Sequence, residues 1–143
     1  MPVSLKRVYD PPSRKDGARV LVDRLWPRGI SKETAKLTAW LKNLAPSDDL
    51  RKWYHARPSQ WLAFRKNYLQ ELRAPEASAA LEQLYELAED NAHVTLLFAS
   101  RNLDKNNATV LKELLDGTRK PPTASGALRT VGGRRGRARM NRQ

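Results

Sequence analysis

The chain has 143 residues, with 27 Lys and Arg against 15 Asp and Glu, a formal net charge of +12 and no Cys. That length bounds it to one domain with one sizeable core, and the absence of thiols excludes disulfides, thiolate catalysis and cysteine metal sites. The N-terminus lacks an apolar signal region and no run approaches the roughly 18 apolar residues that span a bilayer, so the chain reads as a cytoplasmic protein with no membrane association.

Leu5–Tyr9 is the first expected strand, broken by Asp10-Pro11-Pro12-Ser13 and Asp16-Gly17, because Pro removes a donor and Gly permits turn dihedrals. Its direction is open: the short connection to the next strand suits an antiparallel pair, or a parallel pair with an irregular crossover. Val20–Leu25 is the second strand, and Asp23, Arg24, Trp26, Pro27, Arg28 and Gly29 crowd its end. Ser31 suits the N-cap of a short helix over Lys32–Lys36. Leu37, Trp40, Leu41 and Leu44 recur at helical spacing, but the segment is short and ends at Ala45-Pro46, which leaves helix or strand open there.

Ser47-Asp48-Asp49 caps a helix that stops near His55–Arg57, and Pro58 suits the first position of the next. Trp61, Phe64, Tyr68 and Leu72 give that helix an apolar stripe, read as core, up to Pro75. Glu76–Asp90 is the clearest helix and Val94–Ala99 the clearest strand; Asn106–Leu115 is the last helix, stopped by Gly117. Thr118–Gln143 carries eight basic residues and no acidic one, is rich in Gly and Arg, and cannot bury apolar surface, so disorder is expected there. Met1–Gly117 then holds 19 basic against 15 acidic residues, a modest excess. Strands interleaved with helices argue for an α/β sheet.

The segments K-R-V-Y-D-P-P-S-R, R-V-L-V-D-R-L-W-P-R-G-I-S-K-E, L-A-P-S, L-R-K-W-Y and N-N-A-T-V-L-K-E-L-L resemble the YeaO-like branch of the domain-of-unknown-function 488 family, from about Leu5 to Leu115. The resemblance implies a small bacterial α/β protein, favours Leu37–Leu44 as a third strand, and carries no activity with it. A longer-chain branch of that family has cysteines and a histidine where this chain has Phe98–Asn102 and Asn106-Asn107-Ala108, so thiol or Cys/His metal chemistry does not transfer. Within the YeaO-like branch a His usually precedes Asn-Asn, where this chain has Lys105. The expected architecture is a small three-layer α/β domain over 1–117, with a largely parallel sheet of about four strands flanked by helices, followed by a disordered basic tail over 118–143.

Candidate chemistry gathers at the strand ends, where open α/β sheets place ligands. Arg24 and Arg28 offer forked donors for a phosphate or carboxylate, Trp26 a stacking surface, and Asp23 a base or an orienting carboxylate; the competing reading is an internal Asp23–Arg24 ion pair, with Trp26-Pro27 covering the sheet end. Arg101, Asn106 and Asn107 follow the Val94–Ala99 strand and open the last helix, where free N–H groups favour anions; the competing reading is that Asn106 only caps that helix. Tyr9 is a further ligand candidate, with Arg7 beside it. Catalysis has only three weak candidates, Asp23, Arg24 and His55, the last for its near-neutral titration. Two distant histidines give no metal site, and there is no P-loop, G-x-G-x-x-G or G-x-S-x-G, so no cofactor is expected. The implied partner is an anionic small molecule, a nucleotide among the options. The alternative is a nucleic acid held by Arg134, Arg135, Arg137 and Arg139 through phosphate contacts without sequence readout. A third reading makes the aromatic Trp53–Tyr68 region a protein-docking face.

Overall fold

The computed structural model describes residues 2–117, and the expected disorder of Thr118–Gln143 lies outside them. Four parallel strands, β1 (Val3–Arg7), β2 (Ala18–Leu21), β3 (Ala39–Trp40) and β4 (Val94–Phe98), form one sheet in the order β1-β4-β2-β3. Five α-helices accompany them: α1 (Lys32–Ala35), α2 (Asp48–Ala56), α3 (Trp61–Glu71), α4 (Pro75–Asp90) and α5 (Asn107–Asp116). The α/β class, the parallel sheet and the count of four strands match the sequence reading. No helix among the described residues is long and apolar enough to cross a membrane.

β4 and β2 are the inner strands, and all five residues of β4 are buried. A parallel strand covered on both faces needs such an unbroken apolar run, which V-T-L-L-F provides. Side chains alternate across a strand, and the two faces carry unequal layers. Val20, Val94, Leu96 and Phe98 meet the apolar stripes of α2 to α5 in the main core, with Phe64, Tyr68, Leu81, Leu84 and Leu111 at its centre. Leu21 and Leu97 face the other way with Val8, under Trp26, Leu37 and Trp40. The third layer is therefore thin, a single helical turn and loops.

β1 is parallel to β4, which settles its direction. The crossover from β1 to β2 has no α-helix; it passes over β4 through a 3-10 turn at Arg14–Asp16. Two contacts hold it down. Thr95 Oγ1 on β4 donates to the Asp16 carbonyl at 2.7 Å. The buried Asp16 carboxylate accepts from Arg19 at 2.5 Å, Lys6 at 3.1 Å and the Ser13 N–H at 3.0 Å. Gly17 allows the close approach: its φ is +64°, and a Cβ there would lie 2.2 Å from the His93 carbonyl oxygen.

Several element boundaries differ from expectation. β1 runs Val3–Arg7 rather than Leu5–Tyr9, so Tyr9 lies in the turn beyond it. β2 begins at Ala18 and ends at Leu21, so Asp23 and Arg24 lie beyond the strand rather than within it. Over Leu37–Leu44 the strand reading holds only for Ala39 and Trp40, which pair with Val20 and Leu21 at the sheet edge; a 3-10 turn at Lys42–Leu44 follows. Pro58 does not open α3. It stands in a turn closed by Gln60 N–H to the Arg57 carbonyl at 2.9 Å, and the helix starts at Trp61. The proline at a helix start is Pro75, at N1 of α4, where its missing N–H and fixed φ cost nothing.

Candidate anion site

All four strands run the same way, so their C-terminal ends share one edge, and the connections after β1, β2 and β4 leave the sheet there. This edge carries most of the polar chemistry singled out in the sequence. Asp23 bolts two of these connections together. Its Oδ2 accepts the Ala99 N–H at 2.8 Å and its Oδ1 accepts the Asn107 side-chain amide at 3.2 Å. The same Asn107 amide donates to the Val22 carbonyl at 3.0 Å, and Trp40 Nε1 donates to the Asp23 carbonyl at 2.7 Å. Burial pushes the Asp23 carboxyl above its ordinary value, against the opposing pull of these two donors and of the Arg51 charge.

Arg24 occupies a different environment. It is half-buried, and its Nη2 donates to the Ala45 carbonyl at 3.2 Å. It makes no ion pair among the described residues, and its Nε is shielded from water with no acceptor. The adjacent Leu44 carbonyl takes the hydroxyl of fully buried Tyr68. The turn at Lys42–Leu44 is thus pinned through consecutive carbonyls by Tyr68 and Arg24. Burial drives the Tyr68 hydroxyl well above its ordinary pKa; Asp23 and Glu71 add to the rise and Arg24 opposes it. Asp23 and Arg24 therefore both act on one buried phenol.

The other candidates divide by how far their polar atoms are already engaged. Trp26 packs edge-on against Trp40 at 5.3 Å and donates Nε1 to the Ile30 carbonyl at 2.6 Å, so it braces its own loop. Asn106, 4% exposed, caps α5: Oδ1 accepts the Thr109 N–H at 3.1 Å and Nδ2 donates to the Asn102 carbonyl at 2.7 Å. The amides of Asn106 and Asn107 are thereby spent on the protein, and their part in the site is to hold its shape. Arg28 and Arg101 are exposed and without an ion pair among the described residues. Tyr9 is 41% exposed with Arg7 over its ring at 5.0 Å. His55 is exposed on the last turn of α2, with no resolved bond to the edge. Arg134, Arg135, Arg137 and Arg139 lie outside the described residues. No group of three or more His, Asp or Glu able to hold a metal ion occurs among the described residues.

Two residues matter here more than sequence reasoning suggested. Arg7 donates to the Ala99 carbonyl at 2.8 Å and the Ser100 carbonyl at 3.1 Å, tying the end of β1 to the connection after β4. Its position at a strand end was the available signal. Tyr68 reads in sequence as a core aromatic, and no signal announces that its hydroxyl finds Leu44. Within the Trp53–Tyr68 region, Phe64 and Tyr68 are buried and Tyr54, Trp61 and Tyr68 pack around Phe64 within 4.3–5.8 Å between ring centroids, while Trp53, Tyr54 and Trp61 are half-buried and Leu62 is exposed.

A family profile described as "Inactive DUF488-N3 subclade" matches residues 2–126. The chain belongs to this DUF488-N3i family. It is similar to YeaO of Escherichia coli K12, 42% identical over 115 residues that cover 80% of this chain and 97% of that protein. Rv3073c of Mycobacterium tuberculosis H37Rv and Mb3100c of Mycobacterium bovis are each 42% identical over 115 residues, 80% of this chain and 94% of theirs. All three are named as uncharacterized proteins. No solved structure matches the chain.

Proposed function

We propose that the folded domain binds a small phosphate- or carboxylate-bearing molecule at the C-terminal edge of its sheet, with Arg24 as the principal cation and Arg28 and Arg101 as outer ones. One observation carries this reading: the Arg24 guanidinium is partly withdrawn from water, has no carboxylate, and leaves its buried Nε without an acceptor. A desolvated cation is destabilising unless an opposite charge meets it. An anion on the guanidinium supplies that opposite charge. The description of the family as an inactive subclade favours binding without turnover. A thermal-shift series with inorganic phosphate, sulfate, acetate and AMP tests it. Stabilisation by phosphate or AMP, lost in Arg24→Met, is the expected result; no response to any of the four overturns the reading.

The charge asymmetry of the sequence favours a second property, that Thr118–Gln143 holds polyanions by counterion release. RNA binding by the full chain should weaken steeply with salt and vanish in a form ending at Gly117. Equal binding by both forms removes the tail from the account.

A further inference from the structure

The residue beside Arg24 is a carboxylate that likewise has no ion pair among the described residues, though the Arg51 charge acts on it from beyond ion-pair distance, and the two do not neutralise each other. Asp23 is held by two neutral donors, the Ala99 N–H and the Asn107 amide. No Lys, Arg or His forms an ion pair with it among the described residues. Arg24 reaches only a neutral carbonyl. Neighbouring opposite charges in a partly dry site would gain by pairing, since their attraction strengthens as water is removed. Here the fold prevents it. Asp23 is bolted to the connection after β4 and to the first residue of α5, while Arg24 is drawn to the turn that follows β3. The result is an anion and a cation set apart on one connection, neither with an ion pair among the described residues.

A carboxylate offers about four acceptor positions, and two at Asp23 are occupied. A simple anion at Arg24 satisfies one half of this arrangement and is repelled by the other. A molecule carrying an ammonium group a short distance from its anionic group satisfies both halves. From the separated Asp23–Arg24 pair we infer that the ligand is zwitterionic: an aminophosphate or an amino acid, with its anionic group on Arg24 and its ammonium on Asp23. This rests on the anion-binding reading above and narrows its ligand class. Asp23 thereby acts as a specificity determinant, weakening plain anions by charge and favouring those that bring their own cation.

Titration calorimetry with two probes of matched shape tests this. Phosphoethanolamine carries the ammonium and ethyl phosphate lacks it. The unaltered chain should bind phosphoethanolamine at least ~10-fold more tightly, in keeping with one charge-assisted hydrogen bond gained. Asp23→Asn should remove the preference between the two probes. Equal affinity for the two probes in the unaltered chain, or tighter ethyl phosphate, overturns the zwitterion inference and leaves the anion site standing. No binding of either probe overturns both. The comparison on the unaltered chain decides the matter even where the Asp23 variant does not fold.

Discussion

Arg24→Met separates a binding arginine from a structural one, because the two roles give opposite signs in stability. Among the described residues the side chain makes one hydrogen bond, at 3.2 Å to the Ala45 carbonyl, and a charged donor of this kind is worth about 1.5–3 kcal/mol. Against it stand the orphaned buried Nε, which costs about 1–3 kcal/mol, and the partial dehydration of an unneutralised charge, which costs several kcal/mol more when complete. Methionine keeps much of the aliphatic stem and sheds both penalties. The expected balance is a gain of about 1 kcal/mol in unfolding free energy, or a midpoint rise of about 4 °C for a domain of this size. Phosphate should act in the reverse sense: at 100 times its dissociation constant it stabilises the unaltered chain by about 2.7 kcal/mol and leaves the variant unchanged. Urea unfolding with and without phosphate reads both quantities. A variant that loses about 1 kcal/mol or more and keeps its phosphate response would show that Arg24 only anchors the Ala45 turn.

Three further outcomes concern the crossover and its neighbours. Asp16→Asn leaves the buried Arg19 guanidinium, 4% exposed, without its counter-charge, and should cost about 3–5 kcal/mol in urea unfolding; adding Arg19→Met should recover part of that loss, whereas strictly additive losses would contradict the pairing. Burial works against ionised Asp16, but the Ser13 N–H, Lys6 and Arg19 outweigh it and hold its carboxyl below 3.8. Its stabilising contribution is therefore complete above that value and lost as pH falls through the lower folded one, so the acid limb of the stability profile should flatten in Asp16→Asn. Gly17→Ala sets a Cβ 2.2 Å from the His93 carbonyl at a φ of +64°; overpacking and the left-handed strain together predict a loss of about 2–5 kcal/mol, and a neutral result by thermal unfolding would show that the crossover can lift off β4.

The sheet was legible where hydrophobic pattern alone decides structure. V-T-L-L-F has no polar alternation, which only a strand covered on both faces tolerates, and it is an inner strand of the sheet. The direction of β1 was not legible, because the crossover to β2 is held by tertiary contacts: Thr95 to the Asp16 carbonyl and Asp16 to Arg19. Nothing local in D-P-P-S-R-K-D-G states that it passes over a strand some 80 positions away in sequence. β3 was ambiguous because two residues of edge pairing leave almost no periodicity to read.

The site was half legible for a related reason. Position in the chain foretold that Asp23, Arg24 and the asparagines would meet at one edge, since parallel strands put their ends together. What each polar atom does there depends on its bonds. Asn107 and Trp26 are the same in sequence whether they face a ligand or brace a loop, and here they brace. Arg24 and Asp23, the adjacent pair that sequence would most readily join as an internal ion pair, stay apart because other partners claim each of them first. A partly buried charge without an ion pair is costly to a fold, and a residue serving folding alone is better paired or replaced by an apolar one. Asp23 and Arg24 are two such residues of opposite sign on one connection, and a ligand that answered only one of them would leave the other without an ion pair among the described residues.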